Sequence, residues 1–152
     1  MRAEREHVTV APDVSWHHHV WRAADYHCPW HFHPEIELAL ITEGSGTRIV
    51  GDSVERYQPG DVTLIGAELP HSYAPAAERG GHAAVVVQFR PDFLGAELLA
   101  RPEFTGLARL FDRAARGLHF DPDPELVDRL PALATAPPPD RTLELLGLLV
   151  RL

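Results

Sequence analysis

The chain has 152 residues, 45% of them hydrophobic, and a formal net charge of −8 at pH 7. That length suits one domain with a true core. The acidic balance argues against direct contact with a phosphate backbone, and no apolar run approaches the roughly 18 residues of a membrane span. The charged start Met1-Arg2-Ala3-Glu4-Arg5-Glu6 does not resemble a secretory signal, and Cys28 is the only cysteine, so no internal disulfide can form. A cytoplasmic protein is the expectation.

Up to about residue 89 the chain reads as short strands broken by Gly and Pro. Strands are predicted at 8–10, 18–24, 36–42, 47–50, 54–57, 62–65, 71–74 and 83–89. Gly44-Ser45-Gly46 and Pro59-Gly60-Asp61 supply turn chemistry between them. Many short strands at this spacing imply a sandwich or barrel. The internal run His17-His18-His19 falls on the second of these strands, where three consecutive side chains cannot face one way, so we read it as a partly exposed strand.

After Arg90 the period becomes helical. Asp92 is placed as the cap of a short helix through Leu99. Residues 103–115 carry an apolar stripe of Phe104, Leu107, Leu110, Phe111 and Ala114. Gly117-Leu118-His119-Phe120 reads as a short extended return. Asp123-Pro124-Glu125 is a strong helix start, with an acceptor at the N-cap and proline at the first helical position. Pro137-Pro138-Pro139 is expected to form a stiff linker, with Asp140 capping a last helix to Leu152. That helix is apolar on all sides, which implies burial on more than one side and suggests a dimer contact or a natural chain that continues past Leu152.

The chemistry concentrates in Trp30-His31-Phe32-His33-Pro34-Glu35-Ile36-Glu37-Leu38 and in the later Leu69-Pro70-His71. Neutral imidazoles and a carboxylate suit Zn, Ni, Fe, Mn or Cu. On a strand of period two His31 and His33 point the same way, and Glu37 keeps that parity if the strand runs straight. The alternative is a hydrogen-bonded polar pocket without a metal.

His31-x-His33, three residues, Glu37, six residues, Gly44 resembles the first motif of the cupin superfamily, and the stretch from Gly60 to His71 is similar to the second. The resemblance implies a mainly β fold, the cupin-type double-stranded β-helix or jelly-roll barrel, followed by a C-terminal helical segment. It also implies His31, His33, Glu37 and His71 as metal ligands. Departures occur at Asp25 and Glu68, where the motifs usually have Gly, at Gly66 in place of Pro, and at Pro75 in place of Asn.

The runs His33–Leu38, Gly44-Ser45-Gly46-Thr47-Arg48, Pro59-Gly60-Asp61, Leu69-Pro70-His71 and Gln88-Phe89-Arg90-Pro91-Asp92-Phe93-Leu94 resemble one subgroup more closely. That subgroup is the N-terminal sensor domain of AraC-type transcriptional regulators. The similarity covers roughly residues 5–152. It implies a barrel over 1–90 that binds a small-molecule effector such as a sugar, and helices over 91–152 that pack on it. It further implies a homodimer through the last helix, and DNA contact only through a domain this chain does not contain. Trp30, Arg48, Tyr73 and Gln88 are candidate walls of the effector pocket. The competing expectation is a small metal-dependent cupin enzyme, a dioxygenase or isomerase.

Overall fold

The computed structural model describes residues 2–23, 28–76 and 81–152. Among these, the strands are β1 (Glu4–Arg5), β2 (Trp16–Ala23), β3 (Cys28–Phe32), β4 (Ile36–Glu43), β5 (Gly46–Val50), β6 (Ser53–Tyr57), β7 (Val62–Ile65), β8 (His71–Pro75), β9 (His82–Phe89) and β10 (Leu118–Phe120). The helices are α1 (Ala96–Leu99), α2 (Thr105–Ala114), α3 (Pro124–Ala132) and α4 (Pro138–Arg151), with a 3-10 turn at Pro102–Phe104 before α2. Two five-stranded sheets form, in the orders β1-β3-β8-β5-β6 and β10-β7-β4-β9-β2.

The second sheet is sandwiched between two layers, and strand alternation assigns the faces. Ile36, Leu38 and Leu40 of β4, with Val85, Val87 and Phe89 of β9, join Leu107, Leu110 and Phe111 of α2, Leu126 and Leu130 of α3, and Leu145, Leu148 and Leu149 of α4 in the larger core. The alternate residues Ala39, Ile41, Ala84 and Val86 turn toward the first sheet and pack with Val50, Tyr57, Ile65 and Tyr73 in a smaller one. The predicted stripe of α2 is the face that packs on the sheet: Leu107, Leu110, Phe111 and Ala114 are buried, and half-buried Phe104 sits against the same core.

Several expectations need correction. Residues 8–10 form no strand; the N-terminal pairing is β1, parallel to β3. Residues 28–32, not among the predicted strands although His31 and His33 were read with strand parity, are β3, which runs antiparallel to β8. Pro29 is exposed there, a position a sheet tolerates. Helix α1 begins at Ala96, after turns that follow Asp92. Pro138 and Pro139 open α4 instead of forming a linker, because proline fits a first turn whose N–H groups lack partners anyway. The N-cap of α4 is therefore Pro137, and Asp140 lies in the first turn. Asp123 does cap α3, its side chain accepting from the Glu125 N–H at 2.9 Å. Ala24 of the predicted second strand and the motif position Asp25 lie outside the described residues.

The extended return at 118–120 is β10, which pairs antiparallel with β7 and brings the end of α2 against the barrel. There the Gly66 N–H donates to the Ala114 carbonyl at 2.8 Å, and a Cβ on Gly66 would stand 2.6 Å from that oxygen. Proline at this position would lose the hydrogen bond and collide, so the departure from the motif follows from the packing of α2. Glu68 takes φ 61°, the conformation that favours glycine, and its N–H donates to the His33 carbonyl at 2.7 Å. The second departure thus keeps the backbone shape of the motif with a less suited residue.

Candidate metal centre and cavity

Four side chains from three segments meet inside the barrel. Cross-strand pairing of β3 and β8 sets His31 opposite His71, with ring centroids 4.2 Å apart. His33 follows β3, and Glu37 is the second residue of β4. One donor atom from each of His31, His33, Glu37 and His71 lies within 4.8 Å of every other, and all four residues are buried. The juxtaposition expected from the two motifs is therefore present in the fold.

Each imidazole is oriented from behind. The Nδ1 of His31 meets the Pro29 carbonyl at 2.8 Å, that of His33 the Glu35 carbonyl at 3.1 Å, and that of His71 the Leu69 carbonyl at 2.8 Å. A carbonyl only accepts, so in each ring Nδ1 carries the proton and Nε2 is turned inward. Two of these Nε2 atoms then face the Glu37 carboxylate, at 3.1 Å for His33 and 3.7 Å for His71. The His71 Nε2 is fully buried and, among the described residues, has no hydrogen-bond partner.

Neutral imidazoles would set lone pairs against a carboxylate, so the cluster needs either extra protons or a cation. A divalent transition ion satisfies the donors, the backing carbonyls and the orphaned nitrogen together. His31, His33, Glu37 and His71 fit such an ion.

The electrostatics without a metal follow the same tension. Burial alone would raise the Glu37 carboxyl, but the His71 charge and the His33 hydrogen bond hold it well below the usual range. Burial pushes His33 down, yet its hydrogen bond and charge pairing with Glu37 leave it above the ordinary value. Burial and the neighbouring His71 lower His31.

The centre opens onto a cavity of about 240 Å³ between the two sheets. His31, Glu37 and Gln88 form its polar end, while Ala39, Ile41, Ala84, Val86 and Tyr73 give an apolar wall. The small residues Ala39 and Ala84 leave the space. The Gln88 amide donates to Glu37 at 3.0 Å, so it orients the carboxylate as well as lining the cavity. A β-bulge on β3 puts Cys28 and His31 on the same inner face although they are three residues apart.

Of the four candidate wall residues, Tyr73 and Gln88 line this cavity; Trp30 and Arg48 do not. Trp30 is half-buried on β3. Arg48 is buried and committed to carboxylates: it pairs with Glu55 and donates to Asp61 at 3.4 Å, tying the Pro59-Gly60-Asp61 turn to β5. Sequence reasoning missed most of the wall, including its apolar part and three larger side chains. His19 and Trp21 project from β2, and Glu6 follows β1. The shared parity of His19 and Trp21 was a usable signal; for Glu6 the sequence offered none. Both ring nitrogens of His19 are buried without a hydrogen-bond partner among the described residues, and burial, then the charge on His17, lowers its pKa.

The family model described as the AraC-like ligand binding domain matches residues 17–134. Among solved structures, ToxT from Vibrio cholerae is similar over 88% of this chain and 54% of its own, with a TM-score of 0.60 and 11% identity. A cupin 2 conserved barrel domain protein from Salinispora arenicola aligns over 71% of this chain and 78% of its own, with a TM-score of 0.46 and 14% identity. The chain spans about half the length of the ToxT chain it matches. No curated protein sequence matches it.

Proposed function

The chain belongs to the AraC-like ligand binding domain family, and from that premise we propose that it is the effector-sensing domain of an AraC-type transcriptional regulator. The observation that carries this reading is a cavity between the two sheets, apolar along its wall and polar at one end. A small polar molecule, a sugar or similar metabolite, enters it, and Tyr73, Gln88 and His19 contact the ligand. His31, His33, Glu37 and His71 hold a divalent transition metal at the polar end. When bound, that ion supplies a Lewis-acidic contact for a ligand oxygen.

Sensing requires the effector to bind one state of the domain better than the other. DNA contact belongs to a separate domain of the regulator, as the acidic charge of this chain implies. The homodimer forms through the outer side of α4, where Leu143 is 68% and Val150 58% exposed while Leu145, Leu148 and Leu149 are buried beneath them. Leu143→Arg with Val150→Arg should give a folded monomer in sedimentation, and an unaltered dimer would remove α4 from the interface.

The metal clause is tested by elemental analysis of protein purified without a chelating resin, followed by titration with Ni2+ and Zn2+. The expected result is one ion per chain, lost in His33→Ala. Absence of any transition metal together with no tight uptake would leave a hydrogen-bonded polar pocket. For the effector clause, a thermal-shift panel of sugars and small polar metabolites should find stabilising ligands whose effect disappears in Ala84→Leu.

A metal-dependent cupin enzyme is the second reading, favoured by His31 and Glu37 facing the cavity. It requires turnover of a substrate by the metal-loaded protein. Membership of a ligand-binding family supports the sensor reading over it.

A further inference from the structure

A second carboxylate faces the metal centre from outside the two motifs. Glu6 follows β1, whose residues Glu4 and Arg5 pair with His31 and Phe32 of β3, and its own N–H donates to the Phe32 carbonyl at 2.9 Å. This backbone path delivers the Glu6 Oε2 to 3.6 Å from the His31 Nε2 and 4.0 Å from the His33 Nε2. The Gln88 amide donates to Glu6 at 3.3 Å and to Glu37 at 3.0 Å through the same nitrogen. One amide group therefore spans two carboxylates, and both carboxylates face imidazole Nε2 atoms.

We infer that Glu6 is a fifth donor of the metal centre and that the ion clasps the N-terminal segment across the mouth of the cavity. This rests on the metal reading above and adds a residue to it. Two carboxylates around three neutral imidazoles carry two negative charges, which a divalent ion cancels; with Glu37 alone the loaded centre would keep a net positive charge away from bulk water.

The geometry also explains why Glu6 is poised and not locked. Its side chain is 40% exposed, so it sits at the rim with water on one side, whereas Glu37 is buried. Five donors including two carboxylates suit Mn2+, Fe2+ or Ni2+ better than Zn2+, which four donors usually saturate. The strand it anchors is short, two residues long, and its burial is slight. Such a segment has little other holding energy and opens locally at small cost. An ion bound by Glu6 would therefore decide how firmly the first residues cover the cavity.

The test compares wild type, Glu6→Gln and Glu4→Gln, each stripped with a chelator and titrated with Mn2+ alone and Zn2+ alone. Glu4→Gln removes the same charge two residues earlier, from an exposed side chain. Glu6→Gln should weaken Mn2+ binding by about 10–100-fold, the range seen when a supporting group of a metal site is lost. Its effect on Zn2+ should be smaller, and Glu4→Gln should change either by no more than about threefold because an exposed charge is screened.

Tryptic cleavage after Arg5 gives a readout independent of affinity: Mn2+ should slow it about tenfold in wild type and not in Glu6→Gln. Equal Mn2+ affinity in wild type and Glu6→Gln, or equal losses in Glu6→Gln and Glu4→Gln, would overturn the assignment while leaving the four-residue centre standing. A wild type that takes up neither ion overturns the centre itself.

Discussion

The β4–β9 pair has two faces built from alternate residues of the same strands, and they do opposite work. Toward the helices it presents Ile36, Leu38, Leu40, Val85, Val87 and Phe89, none more than 2% exposed. Toward the other sheet it presents Glu37, Ala39, Ile41, Ala84, Val86 and Gln88, smaller or polar side chains that leave the cavity. The first set has the volume to fill a dry interface. The second gives up that packing to enclose a binding space. Stability and binding are thus separated by strand parity, so changes on one face should leave the other property nearly intact.

The largest expected break in this division is Leu38→Ala. The residue is fully buried against the helices, so truncation should cost about 2–5 kcal/mol of unfolding free energy in denaturant titration. Metal stoichiometry of the folded fraction should not change. If the variant lost metal at unchanged stability, the two faces would not be separable. The reciprocal change on the inner face, Ala84→Leu, adds volume where there is room for it. Its cost should be about 1 kcal/mol or less, below the usual range for overpacking a filled core. Ligand uptake should disappear, and a loss of stability equal to that of Leu38→Ala would mean the cavity is closed in solution.

Parity was legible in the sequence because it depends only on the period of two. The strands at 36–42, 62–65 and 83–89 were recognisable as short runs bounded by Gly and Pro, and the spacing of His31, His33, Glu37 and His71 brought four buried donors together as the motifs implied. What was not legible depends on contacts between distant segments. β3 was missing from the predicted strands, and no local rule says that the absent N–H of Pro29 points out of the sheet. The bulge that aligns Cys28 with His31 is a property of the β3–β8 register. Arg48 looked like a pocket residue because a charged side chain on a strand resembles one. Its partners Glu55 and Asp61 lie 7 and 13 residues farther on and become visible only when the turn closes. Glu6 reaches the centre through a two-residue pairing that hydrophobic periodicity cannot signal. The Ala39 and Ala84 positions had the right parity, but their small size marks a cavity only once the opposing sheet is in place.

The smallest expected effect concerns protons, and it separates the faces by charge and not by volume. In the metal-free protein burial lowers the pKa values of His18, His19, His31 and His82, while that of His33 is raised, its pairing with Glu37 outweighing burial. For a lowered histidine the unfolded chain binds the proton more readily, so stability falls as pH drops below the ordinary value near 6.5. For His33 the sign reverses: its contribution is fully present below 6.5 and fades as pH rises through its folded value. Glu37, held well below the carboxylate range, stabilises above that range and loses its contribution only in strong acid. Four groups oppose one between pH 6.5 and the lowered values, so the metal-free protein should weaken steadily from pH 7 to 5.5. His18 contacts the helical layer through the Leu130 carbonyl at 3.1 Å. His19 and His31 line the cavity, and His82 lies beside Tyr57 of the smaller core. Denaturant titrations in chelator should therefore show that His18→Gln leaves most of the pH slope in place, whereas His19→Gln with His82→Gln flattens it. The opposite pattern would put the proton sensitivity on the helix-covered face and end the division of labour between the two sides of the sheet.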